Sequence, residues 1–540
     1  MTEENKKDSL QNLPICAVDF INKVIKKMRY RRKIRHDVRA ELIAHFEDAL
    51  KDCDTEKERG EKARDLIAEF GDVKLLAILL RRAKKRCRPL WKKFLLRTAQ
   101  VVGIIFVYLL ICTSPLMIGK PTIKIDYVQW LNESEQAGRD ESDNAKEYYK
   151  KASQVVIEMP MWLAQSTATW PTDFNDIELE KLKSWLRENQ EPINILRQTV
   201  DYPHYWNHYQ RSADEVGELT QEIMPGIMEP LSDFRQVAYA MRQNIRYEAY
   251  IREVEQAMRD CVILMKYGHD MQGNGFLIEQ LVGIAIEALG LGESFKILDK
   301  VDVPPEFLED TQRNLEKLIE EDKPVISFNS EKVFWYDLIQ SSFTDDGNGD
   351  GRLLGRGLPY VVDSDWTLLR MLLFDYPGRK ETLTKVERFF NKSAEFLAAP
   401  PWDLHSQGVD ANSWTDDLKI SMMLDLQGPV HYRVSQIGWR MKTQRRCLLT
   451  VIALSLYKKK NGGYPINLNE LVEQDYLGNI PIDPFSGKPF VYKNTGDDFI
   501  LYSVGEDFKD DGGEVYRDDR GRLRMWAATG DWVLWPVQEN

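Results

Sequence analysis

Two acidic stretches carry oxygen ligands at spacings that suit a hard cation. In the first, Asp346, Asn348 and Asp350 fall at positions 1, 3 and 5 of an EF-hand-type loop, with Gly351 at position 6. Position 12, where such a loop needs a bidentate Glu, is Gly357; Asp345 and Asp363 are spare carboxylates nearby. In the second, Asp507, Asp510 and Asp511, with Glu514 after them, put several carboxylates on one loop. Calcium takes about six to eight oxygen ligands, backbone carbonyls included. Both stretches are therefore candidate calcium sites, and calcium is the one cofactor the residues suggest. The competing reading of each is a solvated Asx/Gly turn.

Other constellations carry less. His204 and His208 stand four apart and could share a helix face as zinc ligands, but no Glu completes an HExxH spacing. Tyr205, Trp206 and Tyr209 around them favour an aromatic packing cluster. GxSxG, Walker A, GxGxxG and CxxC patterns are absent from the sequence, and its six Cys are scattered. Carboxylate pairs are too common in so acidic a chain to mark a glycosidase. No catalytic residue is assigned.

The elements that must position these loops begin with a membrane signal. The net charge of −12 is uneven: residues 1–97 hold 26 Lys+Arg against 16 Asp+Glu, and the rest holds 47 against 69. From Thr98 to Gly119 there is no charged residue, a run long enough to cross roughly 30 Å of hydrocarbon. Arg81 to Lys93 is strongly basic, whereas only Lys120 and Lys124 follow the run. The positive-inside bias then places the N-terminus in the cytoplasm and the acidic bulk outside. Orientation explains the basic head better than nucleic acid does. At 540 residues the chain should hold two or three domains.

Before the apolar run, 15–29, 33–52 and 58–85 read as helices, the last broken at Gly71 with Asp72 as a cap. The stretch Val38 to Ala49, followed by EKARDLIAEFGDVKLLA from Glu61 to Ala77, resembles a HAAS-type domain. That helical module precedes membrane segments in bacterial permease-like and regulatory proteins. After the run, 120–135 reads as extended or irregular. Helices are expected at 143–158, 176–199, within 213–268, and at 276–298, 304–322 and 364–398. The last hundred residues read as a helix at about 429–460, then strands at 490–493, 498–505, 522–527 and 531–536.

In that last part, Asn461-Gly-Gly-Tyr464-Pro465, then Asp483-Pro-Phe-Ser-Gly-Lys-Pro-Phe490, then Leu501-Tyr-Ser-Val-Gly-Glu-Asp507 follow in order. Together they resemble the globular end of the type II secretion major pseudopilin. The resemblance implies a helix packed on a small sheet, and calcium at the loop of Asp507, Asp510 and Asp511. A pseudopilin has a basic leader and a membrane helix running directly into this end. Here the apolar run lies more than 300 residues upstream, so the fold unit is expected to be reused rather than polymerised.

The fold expected is mainly α. It comprises a helical head at 1–92, a membrane helix at 98–118, a helical extracytoplasmic region at 119–428 and an α+β end at 429–540. The expected function is a single-pass, bacterial inner-membrane binding or scaffold protein with protein partners outside the cytoplasm, near a secretion or envelope apparatus. The rivals are a signal relay with the head as output, and a hydrolase in the central helices. The hydrolase reading requires a deep pocket with convergent perturbed carboxylates.

Overall fold

A computed structural model of the chain describes residues 12–86, 90–210, 225–320, 324–355, 377–409 and 428–538. It is mainly helical, with a small C-terminal sheet, and divides into two compact units, Met1–Ile111 and Cys112–Asn540.

Among the described residues the head holds four helices: α1 (Ile15–Lys27), α2 (Arg32–Ala49), α3 (Glu56–Phe70) and α4 (Val73–Arg86). Thr55 opens α3 with a capping box: its hydroxyl accepts the Glu58 N–H, and the Glu58 carboxylate accepts the Thr55 N–H. Gly71, at φ +71°, ends the helix. Asp72 then caps α4, accepting the N–H groups of Lys74 and Leu75. Phe20, Phe46 and Phe70 meet at the centre with ring centroids 5.8–6.1 Å apart. This core is built between Leu13 and Leu80, so the head closes on itself.

Helix α5 (Leu90–Met117) contains the apolar run. Its stretch Phe94–Ser114 is long and apolar enough to span a membrane, and none of its most apolar part is buried. Val101, Ile104, Phe106 and Val107 are all exposed.

In the large unit, α6 (Tyr127–Gln136) lies where an extended segment was expected. Asp126 caps it by accepting the N–H groups of Val128 and Gln129, and it buries Val128 and Leu131. Its polar run of Asn, Glu, Ser and Gln hides that short apolar face. Next come α7 (Lys146–Val155), a single-turn α8 (Met161–Ala164), α9 (Asp176–Glu188) and α10 (Gln190–Arg197). The last two replace one expected helix, broken at Asn189.

The body is formed by α11 (Pro225–Tyr250), α12 (Val254–Asp270), α13 (Leu277–Lys300), α14 (Pro305–Glu320), α15 (Asn329–Ser342) and α16 (Arg379–Ala398). The α12–α13 hairpin is its tightest packing. A Cβ on Gly283 would lie 2.6 Å from the Gly268 carbonyl oxygen, and one on Gly290 would lie 2.8 Å from Met265 Cγ. Helix α15 was not expected. Its buried side includes Ser330, Asp337, Gln340 and Ser341, so it has no clear apolar stripe. Gln340 uses both ends of its amide to clamp the backbone of Lys124 and Ile125. The expected helix 364–398 is seen from Arg379; its first part lies outside the described residues.

After the short α17 (Pro401–Ser406), the 34-residue α18 (Gly428–Asn461) crosses the unit, roughly 51 Å long at 1.5 Å per residue. It packs on α13 and α14 and also on the sheet. A short α19 (Asn469–Glu473) precedes the strands β1 (Val491–Asn494), β2 (Phe499–Ser503) and β3 (Trp532–Trp535), which pair antiparallel in that order. Tyr492 faces Leu501, and Tyr502 faces Val533. Residues 522–527 form no strand. Asp518 accepts the N–H groups of Arg520 and Arg522 and curls the segment into a loop, leaving one bridge between Arg517 and Leu523. One hydrophobic core runs from Leu116 to Trp535 through body and sheet alike.

Candidate functional site

The C-terminal acidic loop leaves β2 and returns at β3. Asp483 anchors it from below: the carboxylate accepts the Ser503 hydroxyl at 2.8 Å and the N–H groups of Phe485 and Val504. Of the expected ligands, Asp507 accepts the N–H groups of Lys509 and Gly530, both at 3.1 Å, so each of its oxygens is engaged by backbone. Asp510 Oδ1 accepts the Tyr502 hydroxyl at 2.8 Å and the Gly512 N–H at 3.0 Å; the hydroxyl is the main cause that holds its carboxyl below the ordinary value.

The residue missed from sequence is Asp531. It is 2% exposed. Its Oδ2 accepts the Gly513 N–H at 2.6 Å, while Oδ1 is buried without a partner. Burial, together with the nearby negative charges of Asp510 and Asp511, pushes its carboxyl up to about 6. A buried carboxylate with an orphaned oxygen, repelled by two neighbours, is the donor chemistry a hard divalent cation satisfies. Among the described residues no three His, Cys, Asp or Glu side chains stand close enough to hold a metal by themselves. A calcium ion here would therefore draw carbonyl and water oxygens as well.

The first acidic loop is an internally bonded turn. Asp346 accepts the N–H groups of Asn348 (2.8 Å) and Asp350 (3.1 Å), and Asp350 accepts those of Gly351 and Lys380. Gly347 and Gly349, both at φ +88°, permit the curl. Asp345 faces Lys124 Nζ at 2.6 Å and Arg379 Nη1 at 3.1 Å, so two cations already sit beside this loop. Gly357 and Asp363 lie outside the described residues. His204 and His208 are not on a helix: residues 202–210 form no helix, and His204 forms a bridge with Asn144. His208 Nε2 lies 3.5 Å from Glu141.

Sequence reasoning also missed the charged interior, because its partners come from separate segments. At the start of α13, Glu135, Glu279 and Glu331 accept the successive N–H groups of Gly275, Phe276 and Leu277. All three carboxyls are raised by burial, Glu331 to about 8. Arg197 pairs with Asp260 and Glu248, each at 2.7 Å. Arg246 and Arg242 pair with Glu293, and Arg445 with Glu287.

Glu248 also lines a half-open cleft of about 500 Å³, with Lys183, Arg187, Gln190, Asn244 and Tyr247. Its Oε2 is buried without a partner. Burial and the charge of Asp260 raise its carboxyl to about 7, against the lowering effect of Arg197. Such a group can accept or donate a hydrogen bond to a ligand near neutral pH. Among the described residues the cleft lining holds no Ser, Cys or His.

Comparison with protein-family models, with curated proteins and with solved structures finds no match for this chain.

Proposed function

We propose that the chain is a membrane-anchored binding or scaffold protein, with its four-helix head in the cytoplasm and its large unit outside. The observation that carries this reading is the 21-residue apolar helical stretch Phe94–Ser114, of whose most apolar part none is buried by the fold. An apolar surface on all sides of a helix suits lipid rather than water. The basic run Arg81–Lys93 before it sets the orientation.

Binding rather than catalysis is supported by how the interior charges are used. Glu287, Glu293 and Asp260 each face an Arg on another helix, which rigidifies the body. The cleft at Glu248 and the acidic loop at Asp507, Asp510, Asp511 and Asp531 remain as places to take a ligand or calcium. The C-terminal likeness to a pseudopilin end favours partners in a secretion or envelope apparatus.

Alkaline phosphatase fusions test the reading. A fusion after residue 140 is expected to be active and one after residue 90 inactive. The reverse pattern would sink it.

A further inference from the structure

Helix α4 of the head has two apolar faces, and the head's core uses only one. Ala77 is buried there, with Leu76 and Leu80 packed against the same core. On the opposite side Leu75, Ile78 and Leu79 are 58%, 41% and 51% exposed. With Arg82 they recur at i, i+3, i+4 and i+7, so they form one stripe along the helix.

The charges of the helix are all of one sign. Val73–Arg86 contains no Asp or Glu, and Lys74, Arg81 and Lys85 lie exposed along one edge of the stripe. An apolar stripe bordered by long basic side chains suits the boundary between acyl chains and anionic headgroups. A protein partner would need an acidic rim to match. The chain itself holds the stripe near lipid: only seven residues, 87–93, separate Arg86 from Phe94, where the apolar stretch begins. Even fully extended, the eight steps from Arg86 to Phe94 reach at most about 29 Å.

We propose that the stripe Leu75–Ile78–Leu79–Arg82 lies on the anionic cytoplasmic surface of the membrane, so that the head docks on lipid instead of hanging free. This rests on the anchored reading above, and two measurements keep the failures apart. Alkaline carbonate extraction of the intact chain tests the anchor: release into the soluble fraction would refute it whatever the stripe does. Vesicle co-sedimentation of residues 1–92, whose core is complete without the rest, tests the stripe alone.

The fragment is expected to sediment with phosphatidylglycerol-containing vesicles and to stay in solution with pure phosphatidylcholine. Each basic residue removed from Arg81, Arg82 and Lys85 should weaken binding about fivefold. Raising the salt should weaken it further. Leu75→Glu with Leu79→Glu should cost at least about tenfold. Both positions face solvent, so the helical circular dichroism should be unchanged. A fragment that ignores anionic vesicles, or a double variant that binds as well as the parent, overturns the proposal. So does a fragment that is dimeric and becomes monomeric on Leu79→Glu, because the stripe would then belong to a second copy.

Discussion

Arg445 on α18 grips Glu287 on α13 with two parallel hydrogen bonds, Nε to Oε1 at 2.5 Å and Nη2 to Oε2 at 2.6 Å, and both side chains are buried. Nη2 also reaches Gln272 Oε1 at 2.7 Å, and Gln272 donates back to Glu287. Burial alone would raise the Glu287 carboxyl; Arg445 holds it below its ordinary value. The pair bolts the helix that carries the sheet onto the helical body.

Breaking that pair on one side should be costly. Arg445→Met leaves Glu287 buried without its cation, and a loss of about 3–5 kcal/mol is expected. Arg445→Met with Glu287→Met should recover part of it, because no unpaired charge is left, although buried Gln272 loses two hydrogen-bond partners. Urea unfolding of the detergent-solubilised protein checks both. A double variant as weak as the single one would contradict the account.

The start of α13 makes stability depend on pH. Glu331 is raised from 4.5 to about 8 by burial and by the charges of Glu279 and Glu135. Between those values the unfolded chain has lost this proton and the folded chain has kept it. Folding stability from this group is thus complete below about pH 4.5 and falls as pH rises to about 8, by at most about 1.4 kcal/mol per unit. Glu331→Gln should flatten the dependence and raise the melting temperature at pH 8 more than at pH 5. Equal shifts at both values would refute the assignment.

Calcium should bind the C-terminal loop through Asp531. At ten times Kd the gain is about 1.4 kcal/mol, which for a unit this large is a rise of roughly 1–2 °C in Tm. Asp531→Asn should remove it. Because the Asp531 carboxyl is held up to about 6, affinity should drop as the pH falls from 7 to 5 and the ligand takes up a proton. Calorimetric titrations at the two values measure this. Heat of binding that is unchanged in Asp531→Asn would remove Asp531 from the site.

Two glycines of α13 separate packing from propensity. Gly283→Ala forces a Cβ to within 2.6 Å of the Gly268 carbonyl oxygen, and a loss of about 3 kcal/mol is expected. Gly292 has nothing within 4 Å of a built Cβ, so Gly292→Ala should stabilise by roughly 0.5–1 kcal/mol through helix propensity. Melting curves of the two variants should therefore move in opposite directions.

Helices were legible where local grammar was complete. Gly71 with Asp72 marked the break in the head, whereas the Thr55–Glu58 box that starts α3 at Glu56 was not read and the helix was expected from 58. Helix α15 escaped because its buried face carries Ser330, Asp337 and Ser341, which erase the apolar period. Residues 522–527 looked like a strand because Leu523, Met525 and Trp526 are apolar, but Asp518 claims the backbone N–H groups nearby. The acidic loop itself could be read from spacing. Asp531 could not, since it lies eighteen residues beyond Gly513, whose N–H it accepts. Glu248, Arg197 and Asp260 likewise come from three helices, and only the folded chain brings them together.

The order in which the chain is made gives the Arg445–Glu287 pair a temporal meaning. Domains fold as units as they emerge from the ribosome, N-terminal parts first. Helix α13 is complete about 145 residues before Arg445 exists. Until then Glu287 lacks its Arg445 guanidinium, and the side of α13 and α14 that will receive α18 stays uncovered. The residues from 428 onward act as a completion signal: a chain truncated between the end of α14 and residue 428 keeps an open apolar face and a carboxylate without its arginine, the features that quality-control proteases and chaperones recognise.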